Sequence, residues 1–173
     1  MPSRWMVRCV LVLLLASPQA SFAFSAPVGQ PAPALVLPTL NGETFDLNAE
    51  RGKVVIIHLW ASWCPACRAE MPALEELYKR YRADGFSVIA VSADRPRDES
   101  AAAKAMNSYT FPAGLLSNAT SNGFGSPSSL PVTIVIDRNG VVRDNFTADQ
   151  TLTAVDLTTA VSTLLGATRT AQH

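Results

Sequence analysis

The feature that most constrains this chain is a run of apolar residues that ends just before two closely spaced cysteines. Residues 54–59 are apolar apart from one histidine and rich in β-branched side chains, which predicts a buried strand. A short aromatic turn, Cys64, Cys67 and a segment with helical periodicity follow. A helix start offers unpaired N–H groups and a positive dipole end, which stabilise a thiolate. The pattern therefore predicts a redox dithiol, with Cys64 as nucleophile and Cys67 as resolving thiol one turn further on.

The cysteine count favours a chemical role for this pair over a structural one. The chain has three cysteines, and the third, Cys9, lies in an N-terminal stretch that resembles a secretory signal. There Arg4 and Arg8 precede an apolar core, and a small-x-small cleavage site ends at Ala23. We expect residues 1–23 to be a cleaved signal peptide, with an uncleaved membrane anchor as the alternative. One remaining pair three residues apart closes too small a loop to stabilise a fold.

Composition and charge argue against several classes of protein. The 14 basic and 14 acidic residues give a formal net charge of +0 without a basic patch, so we expect no nucleic-acid partner. A hydrophobic content of 48% argues against disorder, and 173 residues suit one domain. The predicted organisation is an extended leader over residues 24–33, a folded domain over 34–166 and a flexible tail over 167–173.

The first half of the domain shows a hairpin pattern and then a βαβ pattern. Residues 34–37 and 44–47 flank an Asn-Gly turn, which predicts an N-terminal β-hairpin. Helical spacing over 65–81 and a second apolar run over 86–92 complete a βαβ unit with parallel strands. Pro72 predicts a kink or break in that helix near Ala69.

The second half predicts shorter elements that complete one sheet. We expect an α/β domain with a mixed sheet and helices on both faces. The predicted elements are a helix over 98–108, a short strand over 113–116, an ordered loop near the site over 117–129, strands over 132–136 and 141–146, and a closing helix over 152–165.

One longer string carries a family resemblance. The residues from Trp60 to Pro72, Trp-Ala-Ser-Trp-Cys-Pro-Ala-Cys-Arg-Ala-Glu-Met-Pro, resemble the exported TlpA/ResA-type thiol–disulfide oxidoreductases. The hairpin and residues 130–133 and 136–140 match the same pattern. The resemblance implies a thioredoxin-like fold, with a central mixed β-sheet flanked by helices and an N-terminal β-hairpin. It further implies no cofactor, no metal, and protein substrates that bear thiols or disulfides.

The resemblance also assigns residues around the dithiol. Pro131 corresponds to the family's cis-proline, which faces the dithiol and helps to seat the substrate polypeptide. The backbone of Leu130 would then be presented to that substrate. Trp63 and Trp60 are expected to wall the site with apolar surface, although either could belong mostly to the core.

Two titratable residues could tune the dithiol. His58 stands where thioredoxins usually have a buried Asp and TlpA-like proteins often have Asn. His58 could be a neutral core histidine without a catalytic role, or a neutral base that accepts the proton of Cys67. If it were protonated instead, it would make the disulfide more oxidising. The resemblance places Glu70 near the dithiol as a residue that tunes its titration, and the alternative is a solvated surface charge.

The expected function is exchange of disulfides with protein substrates by a periplasmic or secreted enzyme. The resemblance implies a reductant that takes electrons from a membrane thiol transporter and acts in cytochrome c or copper-oxidase maturation. Val132 departs from the cytochrome-specific subgroup, which has an acidic residue after the cis-proline. The alternatives are a disulfide-donating oxidase, a non-enzymatic copper carrier that uses His58, a zinc half-site and a peroxidase. A peroxidase would need a Pro-x-x-x-Thr/Ser-x-x-Cys pattern, and residues 57–64 lack it.

Overall fold

The computed structural model describes residues 24–150 and 152–166, so the predicted signal peptide and C-terminal tail lie outside the described residues. The described part contains eight strands and three α-helices, besides single-turn 3₁₀ segments. In chain order they are β1 (Leu35–Pro38), β2 (Thr44–Asp46), β3 (Val54–Trp60), α1 (Pro65–Tyr81), β4 (Phe86–Ser92), α2 (Glu99–Met106), β5 (Ala113–Leu115), β6 (Ser121–Asn122), β7 (Val132–Ile136), β8 (Val142–Phe146) and α3 (Ala154–Gly166).

The main sheet has five strands in the order β5-β4-β3-β7-β8. β3 pairs in parallel with β4 and antiparallel with β7, which confirms the predicted βαβ unit and the mixed sheet. All seven residues of β3 are buried, since the strand has neighbours on both sides and is covered on both faces. This central position explains why the sequence there is nearly continuous in apolar residues.

A second, smaller sheet has the order β2-β1-β6 and is antiparallel throughout. The pairing of β1 with β2 confirms the predicted N-terminal hairpin. The third strand, β6, was expected to be loop. Its two residues lie in a stretch rich in Gly, Ser and Asn, where the sequence carries no strand propensity.

The two faces of the main sheet have different covers. Val54, Ile56 and Trp60 of β3 share one buried cluster with residues of all three α-helices. The alternate residues, such as Ile57, pack in a second cluster with Leu37 of the smaller sheet, and no α-helical residue of the described chain belongs to it. The expectation of helices on both faces is therefore wrong, because the three-stranded sheet takes the place of helices on the second face.

The helix after the dithiol is continuous. α1 begins with Pro65, a position where the missing N–H costs nothing, and ends before Gly85, whose φ of 84° is left-handed. Pro72 lies inside it, so of the predicted kink or break near Ala69 the break is wrong. Buried Met71 and Leu74 anchor the helix against the sheet on either side of this proline, and their burial offsets the lost backbone hydrogen bond.

Residues 24–33 run along the domain rather than away from it. The N–H of Ser25 donates to the carbonyl of Phe124 at 2.8 Å, and that of Gly29 donates to Val142 of the edge strand β8 at 2.8 Å. Ala26 is buried in the cluster beneath the smaller sheet. Within residues 24–150 and 152–166, no helix combines the length and apolarity needed to cross a membrane.

Candidate active site

The dithiol lies where β3 passes into α1. Cys64 is the N-cap residue of α1, and Cys67 lies in the first turn with its N–H 3.2 Å from the Sγ of Cys64. The two are joined in a disulfide, with 5.4 Å between their Cα atoms. Cys64 is 5% exposed and Cys67 is 0% exposed, so the second cysteine is the more buried of the two. The helix start thus holds the pair at the surface end of a buried strand.

The two tryptophans beside the dithiol have opposite environments. Trp63 is 67% exposed, directly before Cys64, and presents a large apolar surface to solvent. Trp60 is completely buried in the cluster beneath the helices. Of the two residues expected to wall the site, Trp60 therefore belongs to the core and only Trp63 presents its ring outward.

A groove of about 380 Å³ opens beside the dithiol, between α1 and the segment that leads into α3. It brings together Ala66, which lies between the cysteines, with Glu70 and Pro131. The Leu130–Pro131 peptide bond is cis, as the resemblance implies. The side chain of Leu130 is partly buried and packs against both core clusters. The remaining lining is mostly small or apolar: Ala69, Ala73, Ala148, Gln150, Leu152, Thr153, Ala154 and Leu157.

His58 is fully buried on the helix-facing side of β3. Its Nδ1 lies 2.9 Å from the Oγ1 of Thr133 and 3.6 Å from the Oε2 of Glu70, and its Nε2 has no hydrogen-bond partner. Burial lowers the pKa of His58 to about 4, and an interaction with the Cys67 backbone offsets part of that effect. The imidazole is therefore neutral at physiological pH, which disfavours the protonated version that the sequence left open.

Glu70 lies one turn beyond Cys67 and turns toward the sheet. Burial raises the pKa of this carboxyl to about 7, although a hydrogen bond from Thr133 acts against the rise. Near neutral pH the group is therefore divided between its acid and its carboxylate. It is not the solvated surface charge that the sequence allowed, because it contacts His58 and the groove behind the dithiol.

Two polar residues near the site were missed by sequence reasoning. Thr133 of β7 stands directly opposite His58 in the antiparallel ladder and is 1% exposed. Asp94, just after β4, is also buried and accepts hydrogen bonds from the backbone and side chain of Ser62 and from Ser92. Both residues are polar at positions where buried residues are usually apolar, and this could have indicated them. Thr133 is a hydroxyl residue in an apolar strand, and Asp94 is an acid at the carboxyl end of a parallel strand.

The copper-carrier and zinc alternatives each need a set of metal ligands. The described residues contain no group of three or more His, Cys, Asp or Glu side chains that could hold a metal ion. His58, the ligand that a copper carrier would require, is fully buried, and its Nδ1 contacts Thr133.

Comparison with known proteins agrees with this geometry. The AhpC/TSA family model matches residues 28–145. Thioredoxin-like protein YneN of Bacillus subtilis is 40% identical over 119 residues, which are 67% of this chain and 69% of YneN. Thiol-disulfide oxidoreductase ResA of Bacillus cereus is 32% identical over 126 residues, which are 72% of each protein.

A solved structure extends the likeness to the fold. The crystal structure of a candidate thiol:disulfide interchange protein DsbE from Chlorobium tepidum superposes with a TM-score of 0.70 at 28% identity. The match covers 82% of this chain and all of that one. Together with the disulfide at the start of α1, these relatives identify the chain as a thiol–disulfide oxidoreductase of thioredoxin-like fold, a ResA-like member of the AhpC/TSA family.

Proposed function

We propose that this protein is exported and reduces disulfides in protein substrates. The thiolate of Cys64 attacks a substrate disulfide, forms a mixed disulfide, and releases the first substrate sulfur as a thiolate. Cys67 then loses its proton, attacks Cys64 and displaces the second substrate sulfur. Two substrate sulfurs gain the electron pair that the two cysteines lose, and the product is the Cys64–Cys67 disulfide present in this structure.

The observation that carries the reducing direction is the lack of a cationic side chain in the groove beside the dithiol, among the described residues. His58 is neutral, Glu70 supplies a carboxyl group, and no Lys or Arg lines the groove beside them. A disulfide is strongly oxidising when its reduced thiolate is stabilised by neighbouring groups. Here the carboxyl beside Cys67 opposes a second negative charge, so the disulfide form is favoured. A dithiol with this bias gives electrons readily.

The surface around Cys64 supports a polypeptide substrate. Trp63 offers an exposed ring on one side of the cysteine, and the groove with Pro131 opens beside it. We assign Trp63, Leu130 and Pro131 to substrate seating because large apolar contacts next to a reactive sulfur hold a chain without demanding one sequence. His58 acts as the acceptor of the Cys67 proton, and Glu70 sets the titration of the pair.

We place the protein outside the cytoplasm, where the signal-like residues 1–23 would direct it. The ResA-type resemblance supports a membrane thiol transporter as electron source and cytochrome c or copper-oxidase maturation as the setting. Val132, in the position where the cytochrome-specific subgroup has an acid, favours substrates other than apocytochrome c within this class.

Trapping of mixed disulfides tests this function directly. In a Cys67→Ser variant the first attack proceeds but resolution cannot, so substrates accumulate as adducts on Cys64. The double variant Cys64→Ser, Cys67→Ser is the matched control and should trap nothing. We expect adducts of extracytoplasmic proteins that dithiothreitol releases. Adducts that are equally abundant in the double variant, or adducts only of cytoplasmic proteins, would contradict the proposal.

A further inference from the structure

One hydroxyl group stands between two groups that can each carry a proton. The Oγ1 of Thr133 lies 2.9 Å from Nδ1 of His58 and 3.4 Å from Oε2 of Glu70. All three side chains meet on the helix-facing side of the sheet, since His58 and Thr133 are register partners and α1 lies over them. No other hydrogen-bonding group of the described chain contacts the Thr133 hydroxyl.

A hydroxyl has one proton to donate, so the network has two consistent arrangements. When Glu70 is ionised, Thr133 donates to the carboxylate, because a charge-assisted bond is the stronger one. Nδ1 of His58 must then carry a proton to donate to Thr133, which leaves Nε2 bare. When Glu70 is protonated, it donates to Thr133, Thr133 donates to Nδ1, and the imidazole proton moves to Nε2. The two arrangements differ by one proton in total.

We propose that Thr133 is a positioning residue whose hydroxyl couples the ionisation of Glu70 to the tautomer of His58, so that Nε2 becomes a proton acceptor only when Glu70 is ionised. This inference rests on the proposed function for its consequence but not for its geometry. Nε2 is one of the buried atoms without a hydrogen-bond partner, and its ring interacts with the Cys67 backbone. The imidazole therefore lies close to the backbone of the cysteine that must lose a proton.

Apart from the Cys67 backbone, which interacts with the imidazole, the described surroundings add no charged side chain to the network. The groove beside Glu70 has no other titratable side chain in its lining, and the β4 neighbour of His58 is Ala90. On α1 the adjacent titratable group is Cys67, which is held in the disulfide in the oxidised protein. His58 stays neutral down to about pH 4, while Glu70 titrates near pH 7, so a change near neutral pH reports the tautomer and not an imidazolium.

The coupling gives the resolving step a proton route. With Glu70 ionised, Nε2 of His58 takes the proton of the Cys67 thiol. The Cys67 sulfur then forms its bond to Cys64, the bond between Cys64 and the substrate sulfur breaks, and that sulfur leaves with the electron pair as a thiolate. The imidazolium returns its proton to water and the thiolate takes one from water, so no further reactant is needed.

The test is ¹⁵N NMR of the histidine ring in the oxidised protein. A His173→Gln background leaves His58 as the only imidazole. Between about pH 5.5 and about pH 8.5 we expect the proton to move from Nε2 to Nδ1, with one midpoint near the pKa of Glu70. Thr133→Val, which keeps the shape and loses the hydroxyl, should show one tautomer throughout. Thr133→Ser should restore the change, and Glu70→Gln should abolish it.

The outcomes separate this inference from the proposed function. A tautomer that stays constant in the parent protein, or a Thr133→Val variant that still switches at the same midpoint, would overturn the coupling. Trapping of substrates by Cys67→Ser is scored independently. If His58 changes tautomer in a protein that traps no substrate, the coupling is supported and the proposed function is contradicted.

Discussion

His58 and Glu70 hold their unusual protonation states because each loses water without gaining a counter-charge. Burial lowers the pKa of the histidine to about 4 and raises that of the acid to about 7. Each shift favours the neutral form, and the two groups lie 3.6 Å apart. At the scale of single residues, the site thus keeps a neutral base and a half-ionised acid beside Cys67.

Substitution of His58 by Asn should slow the resolving step. The amide can fill the space and bond to Thr133, but it cannot accept a proton. We expect resolution of a mixed disulfide at pH 7 to slow by about tenfold or more. Single-turnover tryptophan fluorescence would measure the rate. Ile57→Val is the matched control, because the neighbouring side chain faces the opposite cluster. Unchanged rate and reduction potential in His58→Asn would contradict the proton-acceptor role.

Substitution of Glu70 by Gln should change how stability depends on pH. The folded pKa is raised above its ordinary 4.5, so the free energy of unfolding falls as pH rises from about 4.5 to about 7. His58 acts oppositely below about pH 6.5, so the variant must be compared with the parent at each pH. Glu70→Gln should become relatively more stable across that window, by about 2 kcal/mol after allowance for residual solvation. Denaturant titrations that give a pH-independent difference would contradict this.

At the scale of elements, the turn between β3 and α1 is held by an acid that lies just after the neighbouring strand β4. Asp94 accepts from the N–H of Ser62 at 2.7 Å, from its hydroxyl at 2.9 Å and from Ser92 at 2.6 Å. Ser62 lies two residues before Cys64. The carboxylate therefore holds the turn that carries Trp63 and the nucleophile.

Replacement of Asp94 by Asn should loosen that turn. The amide group would face donors with its own NH₂, so a buried N–H or hydroxyl loses its acceptor. We expect the free energy of unfolding to fall by about 2 kcal/mol, measured by urea titration. Asp98→Asn is the control, since its pairing with exposed Arg95 should contribute less than about 1 kcal/mol. Equal losses of unfolding free energy in both variants would contradict the role of Asp94 in holding the turn.

At the scale of the whole molecule, the three-stranded sheet replaces helices on one face of the main sheet. Gly114 of β5 marks the closest approach, because a Cβ there would lie 2.5 Å from the carbonyl oxygen of Pro38 and 2.7 Å from Leu37. The N–H of Leu40 also donates to Ala113 at 2.7 Å. Absence of a side chain at this position lets β1 lie against the edge of the larger sheet.

Gly114→Ala should therefore separate the two sheets slightly. Overpacking against a backbone atom cannot be relieved by a rotamer change, so we expect a loss of about 2 kcal/mol in the free energy of unfolding. Gly166→Ala, where nothing lies within 4 Å of the added carbon, is the control and should be close to neutral. Thermal unfolding of both variants would decide, and a neutral Gly114→Ala would show that the approach is less tight.

The sequence predicted the elements that are determined by residues close together in the chain. Continuous apolar runs gave β3 and β4, and the Cys-Pro-Ala-Cys string at a helix start located the dithiol. The cover of the second sheet face and the network around His58 depend on residues far apart in the chain. Thr133 is 75 residues from His58, and no local pattern in β7 shows which strand it will pair with.

The reduction potential of the Cys64–Cys67 couple tests the central claim most directly. A dithiol with a neutral histidine and a carboxyl group behind it should behave as a reductant, with a potential below about −220 mV in equilibrium with glutathione or dithiothreitol. The account predicts a value near that of thioredoxin, about −270 mV. A potential of about −120 mV, typical of strong disulfide donors, would contradict it and favour the oxidase.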